Sequence, residues 1–290
     1  MIQIKKQNID SLVEYHLDNL GKSSKRFPLY FKYSFKSIIT ATPEKLDEIA
    51  RWYLTLLPKQ QEKFKYIRDY GYTNFAKKKK EYNAYDLAKS LNIDACPYCN
   101  RNYTFTVTKD KDEILRPDID HFYDKGTYPI LALSFFNLIP SCIECNRILK
   151  GTEKFDIKKH LHPYLDDFNS LAKFEYKYVV EKTDDINSKN KIDIKIKSSD
   201  KRAQNIIDDL NLETIYNVGY KDIVLELIQK REIYPDSYID DLFHQYEGTL
   251  FKNREDVLRH ITGGYIEDKD INKRPLSKLI KDISEELDLI

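Results

Sequence analysis

At 290 residues, with 41% apolar and 33% charged side chains, the chain is long enough for a sizeable core, and its 13% aromatic content argues against disorder. The formal net charge of +1 gives no sign of a nucleic-acid partner, and no apolar run approaches membrane-spanning length. The first residues, MIQIKKQNIDSL, lack the apolar core and cleavage site of a secretory leader, so a globular cytoplasmic protein is expected. Charge is unevenly spread: residues 1–90 balance at +8, residues 91–150 at −1 and residues 151–290 at −6. The basic first third is densest from Lys77 to Lys80, which can face phosphates or form a solvated lysine-rich helix end.

In chain order, residues 43–57 carry apolar side chains at helical spacing, with Thr42 placed to cap and Pro43 in the first turn. Residues 59–69 and 81–91 also read as helices. Residues 101–108 (RNYTFTVT) alternate and are aromatic and β-branched, which predicts a strand. KDKDE at 109–113 reads as a polar turn, and a second short strand is expected to run into Ile119. Beyond Lys150, KFEYKYVV (173–180) and KIDIKIK (191–197) are expected to pair as a hairpin across the TDDINSKN loop. From residue 200 onward helical patterns return in RAQNIIDDLNL, YKDIVLELIQKREIY, SYIDDLFHQY and SKLIKDISEEL. Gly263-Gly264 is too short for a phosphate-binding loop, and no internal repeat is visible. The expected fold is mainly α, with a small ββα insert and one additional β-hairpin, of the α+β class. Three regions are expected: a basic helical 1–90, a central 91–165, and a 166–290 region of hairpin followed by helices.

All four cysteines fall in two matched pairs, CPYC at 96–99 and CIEC at 142–145. Thiolates two residues apart can share one metal, and two such pairs complete a closed tetrahedral shell. Cys96, Cys99, Cys142 and Cys145 are therefore expected to hold a structural Zn²⁺, rather than forming disulfides in a reducing compartment. Buried or redox-active thiols are the bland alternative.

Between the pairs and just beyond them lie Asp120-His121, Asn137 and Asn146. Phosphodiester hydrolysis needs an activated water and a cation to neutralise the phosphate and its departing 3′ oxygen. A neutral imidazole can take the water's proton, and a carboxylate with an amide oxygen suits a hard cation. Taken singly, an Asp-His pair is a common surface hydrogen bond, Asn137 a turn residue and Asn146 a helix cap.

The succession of Asp120-His121, the N-L-x-P of residues 137–140 and the C-x-x-C-N-x-x-x-K of residues 142–150, bracketed by the cysteine pairs, resembles the HNH nucleases, also called ββα-metal or His-Me finger enzymes. The resemblance covers about residues 94–155, so the 91–165 region would be an HNH core with structural zinc. It implies His121 as general base, Asp120 and Asn146 as ligands of a catalytic Mg²⁺ or Mn²⁺, Asn137 holding the His121 backbone and ring, and Lys150 contacting a phosphate. Asn146 stands where the family name leads one to expect His. Asp118 and Asp124 flank the dyad and could assist with metal but read rather as solvated loop residues. His160 and His162 could approach the site from outside but read rather as packing residues, and His244 and His260 as structural.

The helical flanks with the H-P-Y segment (162–164) more loosely resemble the HNH subunits of Septu-type and retron-linked bacterial anti-phage systems. That resemblance implies an ATPase partner of ABC/SMC-like or AAA type, since this chain has no Walker A sequence. DNA is the substrate implied, although no residue excludes RNA. A stand-alone restriction-like or homing-type endonuclease is one alternative. A non-catalytic zinc-binding adaptor is another.

Overall fold

The structure, a computed structural model, describes residues 2–20, 27–28, 30–77, 82–109, 112–178 and 191–290. Lys78 to Lys80 and the whole of the TDDINSKN loop therefore lie outside the described residues. The chain opens with α1 (Ile9–Asn19), α2 (Phe35–Ile39), α3 (Pro43–Leu54) and α4 (Pro58–Glu62). α3 starts as its sequence dictates: the Thr42 side chain accepts from the Lys45 amide at 3.4 Å, and Pro43 occupies the first turn. Leu46, Ile49, Ala50 and Tyr53 line its buried face. The helix stops before residue 57 because Pro58 holds Leu57 extended and begins α4.

The helix expected over 59–69 is instead broken. α4 ends at Glu62, and a wide π-helical stretch (Ile67–Tyr72) runs into α5 (Thr73–Ala76). α6 (Ala84–Leu91) begins later than expected because Asn83 caps it, accepting from the Tyr85 amide at 2.7 Å, while Asp86 accepts from the Asn83 amide at 2.9 Å.

The strand expected over 101–108 is mostly irregular. Residues 100–104 fold back on the first cysteine pair, with the Cys96 amide donating to Asn102 O at 2.9 Å and the Thr104 amide to Asp94 O at 2.9 Å. Only β1 (Val107–Lys109) is extended, and it pairs with β2 (Asp112–Leu115). Pro117 breaks the chain before β3 (Asp118–His121), which pairs antiparallel with β4 (Leu138–Ser141) in the register Asp118 to Ser141, Ile119 to Pro140, Asp120 to Ile139 and His121 to Leu138. A second π-helical stretch (Glu144–Lys150) follows β4, so strand, strand and helical turn succeed one another across residues 118–150.

After α7 (Phe168–Leu171), the hairpin is present as β5 (Ala172–Tyr178) and β6 (Ile192–Ser198), with Phe174 opposite Ile196 and Tyr176 opposite Ile194. Six helices complete the chain: α8 (Lys201–Asp209), α9 (Leu212–Gly219), α10 (Lys221–Ile233), α11 (Asp236–Tyr246), α12 (Arg254–Thr262) and α13 (Ser277–Glu286). RAQNIIDDLNL is split between α8 and α9 at Asn211, which adopts a left-handed conformation. Gly263 ends α12 with φ near 82°, a helix-stop role rather than a phosphate-binding one. The fold is thus mainly α, with three small two-stranded antiparallel sheets among the described residues. None of the helices in the described residues is long and apolar enough to cross a membrane.

Hydrogen bonds from both ends of the chain converge on the first cysteine turn. The Ile2 amide donates to Pro97 O at 2.7 Å, and Tyr216 of α9 donates its hydroxyl to Cys99 O at 2.7 Å. Asn100, at a left-handed φ of 51°, accepts from the Leu276 and Lys278 amides and donates to Ile271 O. The cysteine turn is therefore a joint between the central residues and α13.

Candidate metal centre and catalytic site

The two cysteine pairs meet. Their four Sγ atoms lie within 4.8 Å of one another, all four residues are buried, and Cys99 Sγ is 3.9 Å from Cys142 Sγ. Sulfurs about 2.3 Å from a shared tetrahedral Zn²⁺ stand about 3.8 Å apart, so the donor set and its spacing fit that ion. Backbone amides of Arg101, Cys142 and Cys145 donate to Cys99, Cys96 and Cys142 Sγ respectively, each at 3.4 Å, which favours charged sulfur. Contacts with the other sulfurs hold Cys99 well below the ordinary thiol range and bring Cys142 down to about 6, while burial pushes Cys96 up and the neighbouring sulfurs push Cys145 up. A metal such as zinc can bind here. Among the described residues no other group of three or more His, Cys, Asp or Glu ligand atoms gathers in this way.

The frame stands directly behind β3. Tyr98, between Cys96 and Cys99, donates its hydroxyl to Asp120 Oδ2 at 2.6 Å. Lys150, at the end of the second π-helical stretch, places Nζ 2.8 Å from each Asp120 oxygen and 2.6 Å from His121 O. Both members of this ion pair are buried, Lys150 at 3% exposure and Asp120 at 5%. Lys150, expected to contact a phosphate, is in this arrangement engaged within the protein. Its three donors are turned inward and used, because the helical turn packs on the Asp120 face of β3.

Asn146 also faces β3, but it meets Asp118 rather than Asp120: its amide nitrogen donates to Asp118 Oδ2 at 3.0 Å. Arg147 adds a two-pronged contact to the same carboxylate at 2.6 and 2.7 Å. Asp118 is a strand residue with three donors and not a solvated loop residue. Burial works to raise its carboxyl, but Arg147 and Asn146 outweigh that effect and hold it below the ordinary range. Asp124 closes a local turn by accepting from the Thr127 amide at 2.7 Å.

His121 ends β3 and points to the opposite face. Its Nε2 is 3.0 Å from Ala132 O, an arrangement in which Nε2 carries the proton, and its Nδ1 is buried without a hydrogen-bond partner. Tyr72 of the first π-helical stretch stands edge-on to the imidazole with centroids 4.4 Å apart, and Lys125 lies over the Tyr72 ring. Burial, reinforced by Lys125, lowers the His121 pKa to about 3, so the ring is neutral. Its Nδ1 lone pair is without a hydrogen-bond partner and is covered by protein.

Asn137 is fully buried and works one step away from His121. Its Oδ1 accepts from the Tyr123 amide at 2.7 Å, and its Nδ2 donates to Tyr123 O and Leu131 O at 3.1 and 3.0 Å. Asn137 O accepts from the Phe122 amide at 3.1 Å. These bonds staple the loop that leaves His121 and returns at Ala132, whose carbonyl holds the imidazole.

The remaining histidines have other partners. His160 pairs with Asp209 at 2.8 Å and stacks on Phe155, while His162 is buried against Phe122. His244 and His260 lie exposed on α11 and α12. Sequence reasoning missed Tyr98, Tyr72 and Arg147. Tyr98 carries a signal only in its place between two ligating cysteines, and nothing local marks the other two.

Asp120 and Asn146 supply the oxygen types that Mg²⁺ or Mn²⁺ requires. As arranged here they do not fit that ion. The Asp120 carboxylate is filled by Lys150 and Tyr98, and the Asn146 amide is turned to Asp118. No protein-family model matches this chain, and no curated protein or solved structure matches it either.

Proposed function

We propose that this chain is an HNH-type endonuclease that hydrolyses phosphodiester bonds in DNA, with His121 as its general base. The observation that carries the reading is the single strand pair of β3 and β4. It puts Asp120-His121 at the end of one strand and Asn137 immediately before the other, with Asn146 on the helical turn that follows. The sequence resemblance implies that same succession. The four-cysteine frame behind β3 supports it by fixing the strand through Tyr98.

In this reading His121 Nδ1 takes a proton from water, the water oxygen bonds to phosphorus, and the bond to the 3′ oxygen breaks, the departing oxygen taking its proton from solvent. Asn137 sets the loop that aims the imidazole. The resemblance further implies a catalytic Mg²⁺ or Mn²⁺, which would neutralise the phosphate. The cover over His121 accords with an effector kept inactive until an ATPase partner of ABC/SMC-like or AAA type engages it in anti-phage defence.

Zinc-loaded protein incubated with supercoiled plasmid and with RNA of matching sequence, in Mg²⁺, Mn²⁺ or chelator, tests the proposal. Nicked or linear plasmid that depends on the divalent ion is the expected product. RNA-only cleavage would move the substrate class. Absence of all cleavage, with the co-purified partner present, would favour the non-catalytic adaptor.

A further inference from the structure

The Lys150 ammonium is held as a hard cation would be, by three oxygens. Two are the Asp120 carboxylate oxygens at 2.8 Å, and the third is His121 O at 2.6 Å. Tyr98 completes the Asp120 shell, and Phe155 lies 5.1 Å from Nζ, closing the pocket with an aromatic face. Every donor of the ammonium is used, and both oxygens of the carboxylate are engaged. A second cation cannot share this seat, because two positive charges a few ångströms apart in a buried site repel strongly.

We infer that Lys150 is a built-in competitor for the cation seat of Asp120: a divalent ion binds that carboxylate only when the Lys150 side chain withdraws. The chain reaches the surface directly after Lys150. Lys150 ends its helical turn, Gly151 follows at φ 48°, and residues 151–154 are exposed. The inference deepens the nuclease reading by naming what controls its cation, and it rests on that reading only for the choice of ion.

The test is Mn²⁺ binding to the zinc-loaded full chain, followed by the electron paramagnetic resonance signal of free Mn²⁺. Wild type is compared with Lys150→Met, Asp120→Asn and the double variant. Lys150→Met is expected to bind one Mn²⁺ at least about tenfold more tightly than wild type, and the double variant to lose that gain. Equal or weaker binding by Lys150→Met, or a gain that persists without Asp120, would overturn the inference.

A second measurement needs no variant. Acetic anhydride labelling of wild-type Lys150, read by mass spectrometry, is expected to rise when Mn²⁺ is added, because the displaced amine reaches solvent. Labelling unchanged by saturating Mn²⁺ would overturn the inference equally. Neither readout uses nuclease activity, so an inactive protein would count against the proposed function and leave this result standing.

Discussion

Tyr98 donates its hydroxyl to Asp120 at 2.6 Å, and that bond joins the cysteine frame to the strand carrying His121. Burial and the adjacent carboxylate push the phenol well above its ordinary range, so it stays protonated and donating. Tyr98→Phe keeps the ring and removes only the donor. A buried carboxylate that loses one such bond should cost about 2 kcal/mol. The expected result is a lower denaturant midpoint at unchanged slope, and an unchanged midpoint would show that the bond contributes nothing net.

Removing the metal should loosen α13 as well as the cysteine turns. Asn100 and Cys99 O hold Leu276, Lys278 and Tyr216, so the turn that would ligate the ion also docks the C-terminal helices. Chelation is expected to lower the melting temperature by at least about 10 °C, because metal binding free energy is folding free energy. Hydrogen exchange should quicken across residues 271–286. Exchange confined to residues 96–102 and 142–145 would contradict that coupling.

Asn137→Ala leaves the amide and carbonyl of Tyr123 and the carbonyl of Leu131 without their side-chain partner. An expected loss of about 3 kcal/mol follows from buried polar groups left unpaired, measurable by urea unfolding. Any cleavage activity should fall with it, since the Ala132 carbonyl that holds His121 belongs to the stapled loop. A variant as stable as wild type would remove Asn137 from this role.

Two buried histidines away from the candidate catalytic strand set an acid limit. Burial lowers His16 to about 4 and His162 to about 3, from 6.5. Below pH 6.5 the unfolded chain takes up protons that the folded chain refuses. Their contribution is thus complete above 6.5 and is lost as pH falls toward 4 and 3. The expected slope is about 1.4 kcal/mol per pH unit for each group. His16, held between Tyr82 OH and Leu133 O, can be replaced by Gln to test this. His16→Gln should flatten the slope by about one such increment between pH 4 and 6.5, and an unchanged slope would contradict the assignment.

The sequence makes some of this legible because the causes are local. Two sulfurs per turn declare a metal frame, Thr42-Pro43 declares a helix start, and alternation over 173–180 and 191–197 declares the hairpin, of which residues 179 and 180 lie outside the described residues. The strand expected over 101–108 forms only from Val107, because the cysteine turn captures residues 100–104 with its own hydrogen bonds. The partners of the candidate site residues are set by which face of β3 the following helical turn covers. Pairing Asp120 with Lys150 and Asp118 with Asn146 is a tertiary outcome, as is the approach of Tyr72 to His121 from 49 positions away. Helices α1 and α12 likewise went unmarked. For α12 the clearest signals are its end residues, Asn253 and Gly263.

The most direct measurement is the nicking rate of supercoiled plasmid by wild type and His121→Ala, purified with equal zinc content and with the same partner. Metal-dependent nicking by wild type and a loss of at least about a hundredfold in the variant are expected. Equal rates in the two proteins would contradict the role given to His121.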